Sequence, residues 1–448
     1  RLQAMSYLAR ILVVGDDVAQ SRQLSRRMRR RGYATFPGDF TAVTDKLSRE
    51  EHPDLVVINA GQAGDKGCEL VDLLKSESTT AHIPVMMLAE SPTAALRRRC
   101  LSVGVDDLLA GPFGDAALFS RMRSLVRFAT MYSELLNRAE TVRSFGLEAS
   151  DRIPDEAEPR AYRVLVAAKR PGDIEDIETA LDGGRYRLSV VDDVFAAGAR
   201  LIDENFDAVV IAIDDDPEDA LYLCGQLRNN ARHFNLPALL VADDATFDDL
   251  EKPYARGASV LLTRPLDRDR LQAEILMLVR RQRARHGISD ALRDLRREAV
   301  SERLTGVYSR DFLLAHLERL GAAAANWHKH LSVALFQVQN VAGIVNHLGA
   351  EAADDLLRQV SDWINALVRA EDLTARAGDN EFCVILPETT LEEARIVVQR
   401  ISGVLLNTDF GVPGVNESIR VWLQAGCAAH RADDSAASLL ERTRKNLI

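Results

Sequence analysis

The chain has 448 residues, enough for about three domains at roughly 150 residues each. Its 56 Lys and Arg against 67 Asp and Glu leave a net charge of −11, which excludes a general electrostatic grip on a nucleic-acid backbone. Five scattered cysteines (Cys68, Cys100, Cys224, Cys383 and Cys427) lack CxxC spacing, so a disulfide framework or zinc site is not expected and a reducing cytoplasm is. No apolar run reaches the ~18 residues of a membrane span, and no signal peptide opens the sequence, in which Met5 reads as the natural start.

In chain order, four apolar segments occur twice. ILVVGDD from Ile11 answers VLVAAKR from Val164, and PDLVVINA from Pro53 answers FDAVVIAI from Phe206. IPVMMLA from Ile83 answers LPALLVA from Leu236, and GVDDLLAGP from Gly104 answers GASVLLTRP from Gly257. Every offset is 153 residues, the signature of a duplicated domain. Continuous apolar runs of this length predict strands buried on both faces. Helix-patterned stretches such as SRQLSRRMRRRG (Ser21–Gly32) and GCELVDLLKSE (Gly67–Glu77) separate them, which predicts two doubly wound parallel-sheet domains. Their expected extents are 8–130 and 162–282, with a helix and polar linker over 131–161.

A Leu/Arg/Ala/Glu-rich stretch follows from Leu266 to Leu304, with a break expected at HGIS (His286–Ser289) and a connecting helix over 283–299. From 300 to 448 the pattern changes. Strands are expected at LSVALFQVQ (Leu331–Gln339), EFCVILP (Glu381–Pro387) and SIRVWLQAGCAA (Ser418–Ala429). Helices are expected at EAADDLLRQVSDWINALV (Glu351–Val368) and LEEARIVVQRISGVL (Leu391–Leu405). This third α/β domain is read as a mixed sheet around a central hairpin, with Trp327, Trp363 and Trp422 in its core. The arginine runs SRRMRRRG (Ser25–Gly32) and VRRQRARHG (Val279–Gly287) are read as solvated helix faces.

The duplicated unit resembles the bacterial response-regulator receiver domain. That resemblance implies an acidic pair holding Mg²⁺, a phosphate-accepting Asp, and a responding Thr and Lys. In the first copy these positions fall on Gly15 and Asp16 (with Asp17 beside them), Asn59, Ala89 and Gly111. In the second they fall on Ala168 and Lys169, Ala212 and Arg264. Mg²⁺ is a hard cation that wants charged oxygen ligands, and an amide does not accept a phosphoryl group as a carboxylate does. Asp214, Asp215 and Asp216 read as a solvated acidic loop. Neither copy is expected to be phosphorylated, and both are expected to act as dimerisation and docking surfaces.

VSERLTGVYSRDFLLAHL (Val300–Leu317) resembles the D-x-L-T-G-L-x-N-R segment that opens GGDEF domains, with Leu304, Thr305, Gly306 and Arg310 matching and Glu302 and Ser309 substituting. The GGDEF hairpin aligns with Gly378-Asp379-Asn380-Glu381-Phe382. Such domains are diguanylate cyclases, which join two GTP molecules into cyclic di-GMP with two metal ions. The resemblance places the metal carboxylates on Gln337, Gln339 and Asn380, all neutral amides. It places a guanine-binding Asn on Val345 and keeps a second guanine contact at Asp354. The family's phosphate-holding Lys and Arg would follow RTRKNLI (Arg442–Ile448). An inactive cyclase is therefore expected, with no metal and no cofactor.

The family also has an inhibitory R-x-x-D site, five residues before the hairpin, that binds cyclic di-GMP. R-x-x-D occurs seven times here, but only Arg369-Ala-Glu-Asp372 has that register, and a further family arginine matches Arg400. An Arg fork suits guanine O6 and N7 or a phosphate, and a carboxylate can accept from guanine N1 and N2. The expected ligand set is Arg369, Asp372 and Arg400. Two receivers followed by a GGDEF domain cover essentially the whole chain. The degenerate form of this architecture implies a non-catalytic cyclic di-GMP effector, a homodimer through its receivers, located in the cytoplasm at a cell pole. Its implied role is that of an adaptor, delivering a cell-cycle regulator to an ATP-dependent protease through accessory adaptor proteins. The competing expectations are an active diguanylate cyclase response regulator and a ligand-independent scaffold.

Overall fold

The computed structural model describes residues 6–15, 17–38, 40, 52–61, 64–153, 160–214, 216–230, 232–412 and 418–448. Met5, Asp16 and Asp215 lie outside the described residues. By contacts the chain divides into two compact units, Ala9–Ala129 with Pro154–Gly287, and Arg1–Leu8 with Thr130–Ile153 and Ile288–Ile448.

The first unit holds both receiver-like copies. The first copy runs β1 (Arg10–Gly15), α1 (Val18–Arg30), β2 (Ala34–Gly38), β3 (Leu55–Gly61), α2 (Gly64–Ser76), β4 (Val85–Ala89), α3 (Ala94–Val103) and β5 (Asp107–Ala110) into α4 (Asp115–Ser144). The second runs β6 (Tyr162–Ala167), α5 (Pro171–Ala180), β7 (Tyr186–Val191), α6 (Val194–Asp203), β8 (Ala208–Ala212), α7 (Pro217–Asn229), β9 (Ala238–Ala242), α8 (Glu251–Ala255) and β10 (Val260–Thr263) into α9 (Arg268–Asp294). Strand orders are β2-β1-β3-β4-β5 and β10-β9-β8-β6-β7, parallel in every pair. Because β1, β3 and β4 are covered on both faces, their centres are continuous runs of Val, Ile, Leu and Met, as are those of β8 and β9. The edge strands β2 and β7 are half-exposed and carry polar residues, so they lack that signal. In this winding the carboxyl ends of the first and third strands meet at a topological switch point, where such folds place their chemistry. Gly15 indeed pairs with Asn59.

The two copies pack through α4 and α9. Arg121, only 4% exposed, pairs with Asp107 at 2.5 Å and with Glu274 at 3.1 Å, and Arg281 reaches Asp107 at 3.3 Å. Positions 121 and 274 are separated by the repeat offset of 153, so each residue touches its own counterpart, as at the axis of an isologous pair. Identical copies would set arginine against arginine there. Glu274 turns that repulsion into an ion pair, which commits the two copies to one another. Burial alone would raise the Asp107 carboxyl, but Arg121 and Arg281 hold it below its ordinary value. The run VRRQRARHG is therefore not a solvated face, because Arg281 and Arg285 are buried in this contact. The α9 helix also passes through Gly287 without the expected break, since the packing outweighs the ~1 kcal/mol that an interior glycine costs.

The second unit contains the latter part of α4 and the last turns of α9, then α10 (Arg310–Trp327), β11 (Leu331–Val338), α11 (Val341–Leu348), α12 (Ala350–Leu367), β12 (Leu373–Gly378), β13 (Glu381–Pro387), α13 (Leu391–Leu406), β14 (Leu423–Ala429) and α14 (Ala436–Arg444). Its sheet, ordered β12-β13-β11-β14, is antiparallel throughout, and the parallel element of the expected mixed sheet is reduced to a bridge between Tyr308 and Ala375. Phe336 and Phe382 sit opposite each other on β11 and β13 and pack with Leu356, Val360 and Ile401 from α12 and α13. Trp363 is substantially exposed on α12 and Trp422 is 69% exposed, so neither belongs to the core. The amphipathic face of α12 is filled by Leu356, Leu357, Val360 and Ile364, which leaves position 363 on the other side.

Candidate functional site

Two places in the second unit hold residues singled out from the sequence. The first is the cyclase position. Gln337 lies between Glu381 on β13 and Gln424 on β14 in the strand register. Gln339 Nε2 donates to Gln337 Oε1 (2.8 Å) and to Gln424 Oε1 (2.9 Å), and Asn380 Nδ2 donates to the Val338 carbonyl (2.8 Å). Glu381, the one carboxylate of the group, receives a bidentate grip from Arg444, with Nε at 2.9 Å and Nη2 at 2.7 Å. Gln337, Asn380, Glu381, Gln424 and Arg444 border an open cavity of about 590 Å³ together with Arg310 and Gly378, and Gln339 is not in its lining. A divalent ion wants several anionic oxygens, while this wall presents three amides and one carboxylate already committed to an arginine. The residues present do not fit the two metal ions of a cyclase. Val345 is partly exposed on α11, Asp354 lies on α12, and Asp379 is exposed at the hairpin turn.

The second place is the R-x-x-D turn between α12 and β12. Arg369 N–H donates to Asp372 Oδ2 at 2.8 Å, and Asp372 N–H donates back to the Arg369 carbonyl at 3.1 Å. The same turn recurs at another R-x-x-D, where Arg431 N–H donates to Asp434 Oδ2 at 2.8 Å. Turn geometry is thus generic, and the surroundings make the difference. Asp434 is spent on Arg442. At Asp372 the other oxygen, Oδ1, is buried with no hydrogen-bond partner among the described residues, and so is Thr374 Oγ1. Asp372, Thr374 and Tyr308 all line one cavity of about 200 Å³, whose wall also carries Arg138, Arg293, Arg296 and Arg369. Orphaned buried polar groups cost free energy unless something completes them, so their presence in the lining of a cationic cavity makes it the candidate site. Burial and the neighbouring Glu371 push the Asp372 carboxyl up to about 7, against the pull of Arg369 and Arg400. Arg400 donates through Nη2 to the Leu367 carbonyl at 2.8 Å, tying α13 to the end of α12. The structure therefore places Arg369 and Asp372 in the lining of one cavity, with Arg400 near enough to act on the Asp372 charge but not among the residues lining it.

The receiver positions are filled in other ways. Asp17 caps α1, its Oδ1 accepting from Ala19 N–H (2.8 Å) and Gln20 N–H (3.0 Å). Asn59 Nδ2 donates to Gln20 Oε1 at 3.3 Å. In the second copy Ala212 ends β8, and Arg264 reaches Asp173 at 2.7 Å and Asp214 and Asp243 at 3.3 Å each. Asp214 also pairs with Arg170 at 2.6 Å, so it belongs to an ion-pair cluster rather than to a solvated loop. Asp216 caps α7 through Glu218 N–H.

Comparison with known proteins agrees with this arrangement. Residues 299–448 match the family model of the diguanylate cyclase GGDEF domain, and residues 11–123 match that of the response regulator receiver domain. The chain has the receiver plus GGDEF architecture. It is homologous to the response regulator PleD of Caulobacter vibrioides, with 27% identity over 439 residues that span 97% of this chain and 95% of PleD. The diguanylate cyclase DgcP of Pseudomonas aeruginosa is 28% identical over 156 residues, 35% of this chain and 23% of that protein. Among solved structures, the GGDEF domain of DgcB from Caulobacter crescentus, in complex with c-di-GMP, covers 33% of this chain and 85% of its own, at 21% identity and a TM-score of 0.32.

The support of the R-x-x-D turn came from residues that sequence reasoning did not single out. Arg138, on the latter part of α4, donates through Nη2 to the carbonyls of Glu371 (3.1 Å) and Asp372 (3.4 Å). Glu134 orients it from one helical turn away at 2.7 Å and also meets His316 Nε2 at 2.9 Å, while His316 Nδ1 meets Thr141 Oγ1 at 2.9 Å. All four residues are buried. A Glu-x-x-x-Arg pair is common on exposed helices, so nothing in the pattern distinguished this one.

Proposed function

We propose that this protein is a non-catalytic effector that binds cyclic di-GMP through Arg369, Asp372 and Arg400. The observation that carries this reading is the cavity at the R-x-x-D turn, lined by four arginines and by Asp372, whose Oδ1 has no hydrogen-bond partner among the described residues. Its volume of about 200 Å³ is below the roughly 300–1,000 Å³ that encloses a drug-sized molecule, so one guanine enters and the rest of the dinucleotide lies over the arginines outside. Asp372 accepts from guanine N1 and N2, and the arginines take O6, N7 and phosphate. No metal and no cofactor take part. The GGDEF match supports this ligand class. The pattern of lost and kept residues resembles that of PopA, a degenerate relative in the PleD-like family. On that resemblance the protein is a cytoplasmic cell-pole adaptor in regulated proteolysis and cell-cycle control, and a homodimer through its receivers. The α4–α9 surfaces are already spent between the two copies of one chain, so the dimer uses other receiver surfaces.

The test is calorimetry with cyclic di-GMP on the full chain. Arg369→Ala removes a charge-assisted contact of roughly 1.5–3 kcal/mol, an expected loss of about 10- to 100-fold in affinity. Arg431→Ala, which removes the arginine side chain from the same kind of turn outside this cavity, leaves the affinity of the wild type. Equal losses at both positions, or no binding at all, would exclude the reading and favour a ligand-independent scaffold.

The pH dependence has a definite sign. The folded protein holds the Asp372 proton up to about 7, whereas guanine donors reward the carboxylate, so binding releases a proton. Affinity rises with pH up to about 7 and then levels off, by at most about tenfold per pH unit for one proton. The free protein shows the opposite trend at this group. Its raised value contributes stability below the ordinary 3.8, and that contribution is lost as pH rises towards 7. Calorimetry in buffers of different ionisation enthalpy, from pH 6 to 8, reads the released proton directly. A flat profile would mean that Asp372 does not meet the ligand.

A further inference from the structure

Outside the R-x-x-D site, the most unusual charge arrangement lies between the two receivers. A cavity of about 380 Å³ opens there, walled by the first half of α4 on one side and by α7, α8 and α9 on the other. Of its arginines, Arg121 and Arg281 are neutralised by Asp107 and Glu274. Arg123, Arg228 and Arg256 are not balanced in this way among the described residues. Arg228 is engaged entirely by neutral acceptors: Nε donates to the Gly257 carbonyl (3.0 Å), Nη1 to the carbonyls of Phe234 (2.6 Å) and Leu236 (2.9 Å), and Nη2 approaches Ser259 Oγ at 3.4 Å. No carboxylate among the described residues reaches it, and burial pulls its guanidinium below the usual value. Arg123 and Arg256 are exposed on the same wall, and neither forms an ion pair among the described residues. Arg127 stacks its guanidinium over the Phe234 ring, 3.9 Å from the centroid.

A partly buried cation without a counter-charge is costly, and a protein of net charge −11 has carboxylates to spare for it. Asp107 is the one carboxylate lining this cavity among the described residues, which leaves an excess of positive charge for a ligand to offset. We propose that the cavity between the receivers binds a small phosphorylated anion, held by Arg123, Arg228 and Arg256. A phosphoryl group presents three acceptor oxygens and up to two charges, which suits several guanidinium groups on one wall better than a single carboxylate does. The site is distinct from the R-x-x-D turn and does not depend on the cyclic di-GMP reading.

The experiment titrates the full chain with inorganic pyrophosphate, and separately with GTP, by calorimetry. Saturable binding of pyrophosphate is expected. Removing charge-assisted contacts in Arg123→Ala/Arg256→Ala weakens it by about tenfold or more. Both side chains are exposed, so this variant folds, and Arg369→Ala keeps the wild-type affinity. GTP bound more tightly than pyrophosphate, and weakened by the same double substitution, identifies a nucleotide ligand. Equal affinities identify a free inorganic polyanion. The proposal is overturned if neither probe binds, if the double variant binds as the wild type does, or if Arg369→Ala abolishes the binding.

Discussion

Incubated with GTP and Mg²⁺, the purified protein is expected to yield no cyclic di-GMP above a blank. Joining two GTP molecules is phosphoryl transfer, whose catalysis is almost wholly positioning and neutralisation of charge by metal ions. Gln337, Gln339 and Asn380 carry no charge, and they spend their amides on one another, on Gln424 and on the Val338 carbonyl. Glu381 is held by Arg444. A cation entering that cavity would have to break this ion pair and would gain a single carboxylate. Restoring one acid, as in Asn380→Asp, is expected to leave the protein inactive, because Gln337 and Val345 remain. Mass spectrometry of the reaction mixture is the readout, with an active diguanylate cyclase assayed alongside. Product from the wild type would return the protein to the regulated cyclases.

The duplicated receivers were legible because a constant spacing of apolar runs is a physical requirement of two sheets built alike, buried on both faces. The edge strands β2 and β7 escaped because a half-solvated strand tolerates Arg187 or Pro37 as readily as valine. The place of Arg369 and Asp372 between α12 and the β12–β13 hairpin was legible because a motif at a fixed distance from a hairpin has a single place to go. The charges buried between elements were not legible. Arg281 looks identical in sequence whether it faces water or Asp107, and the difference lies only in what α9 packs against. The same holds for Asp214, which sequence context assigns to solvent and Arg170 and Arg264 claim instead. Trp422 erred in the other direction, since its ring looks like core material but projects from the chain just before β14.

Glu134→Ala is expected to be the most destabilising single change in the GGDEF-containing unit, by about 3–5 kcal/mol, because it strands a buried arginine. Arg138 would lose its only carboxylate among the described residues, and His316 would lose the acceptor of its Nε2. The sign with pH follows from the direction of the shift. Burial would raise the Glu134 carboxyl, but His316 and Arg138 hold it below its ordinary 4.5. Its contribution is therefore present above 4.5 and is lost as the pH falls below that value. Urea unfolding at pH 7 and at pH 4 reads both effects, and the wild type and the variant should draw closer together at the lower pH. Replacing both partners, in Glu134→Leu/Arg138→Met, removes the stranded charge and should recover part of the loss. The ligand site supplies an independent readout. Arg138 is what holds the carbonyls of Glu371 and Asp372, so the turn that presents Asp372 Oδ1 loosens when Arg138 is freed. Affinity for cyclic di-GMP should fall in Glu134→Ala even under conditions where the protein stays folded. A stability loss below about 1 kcal/mol would mean that water replaces the lost partner, and that the pair does not set the geometry of the R-x-x-D turn.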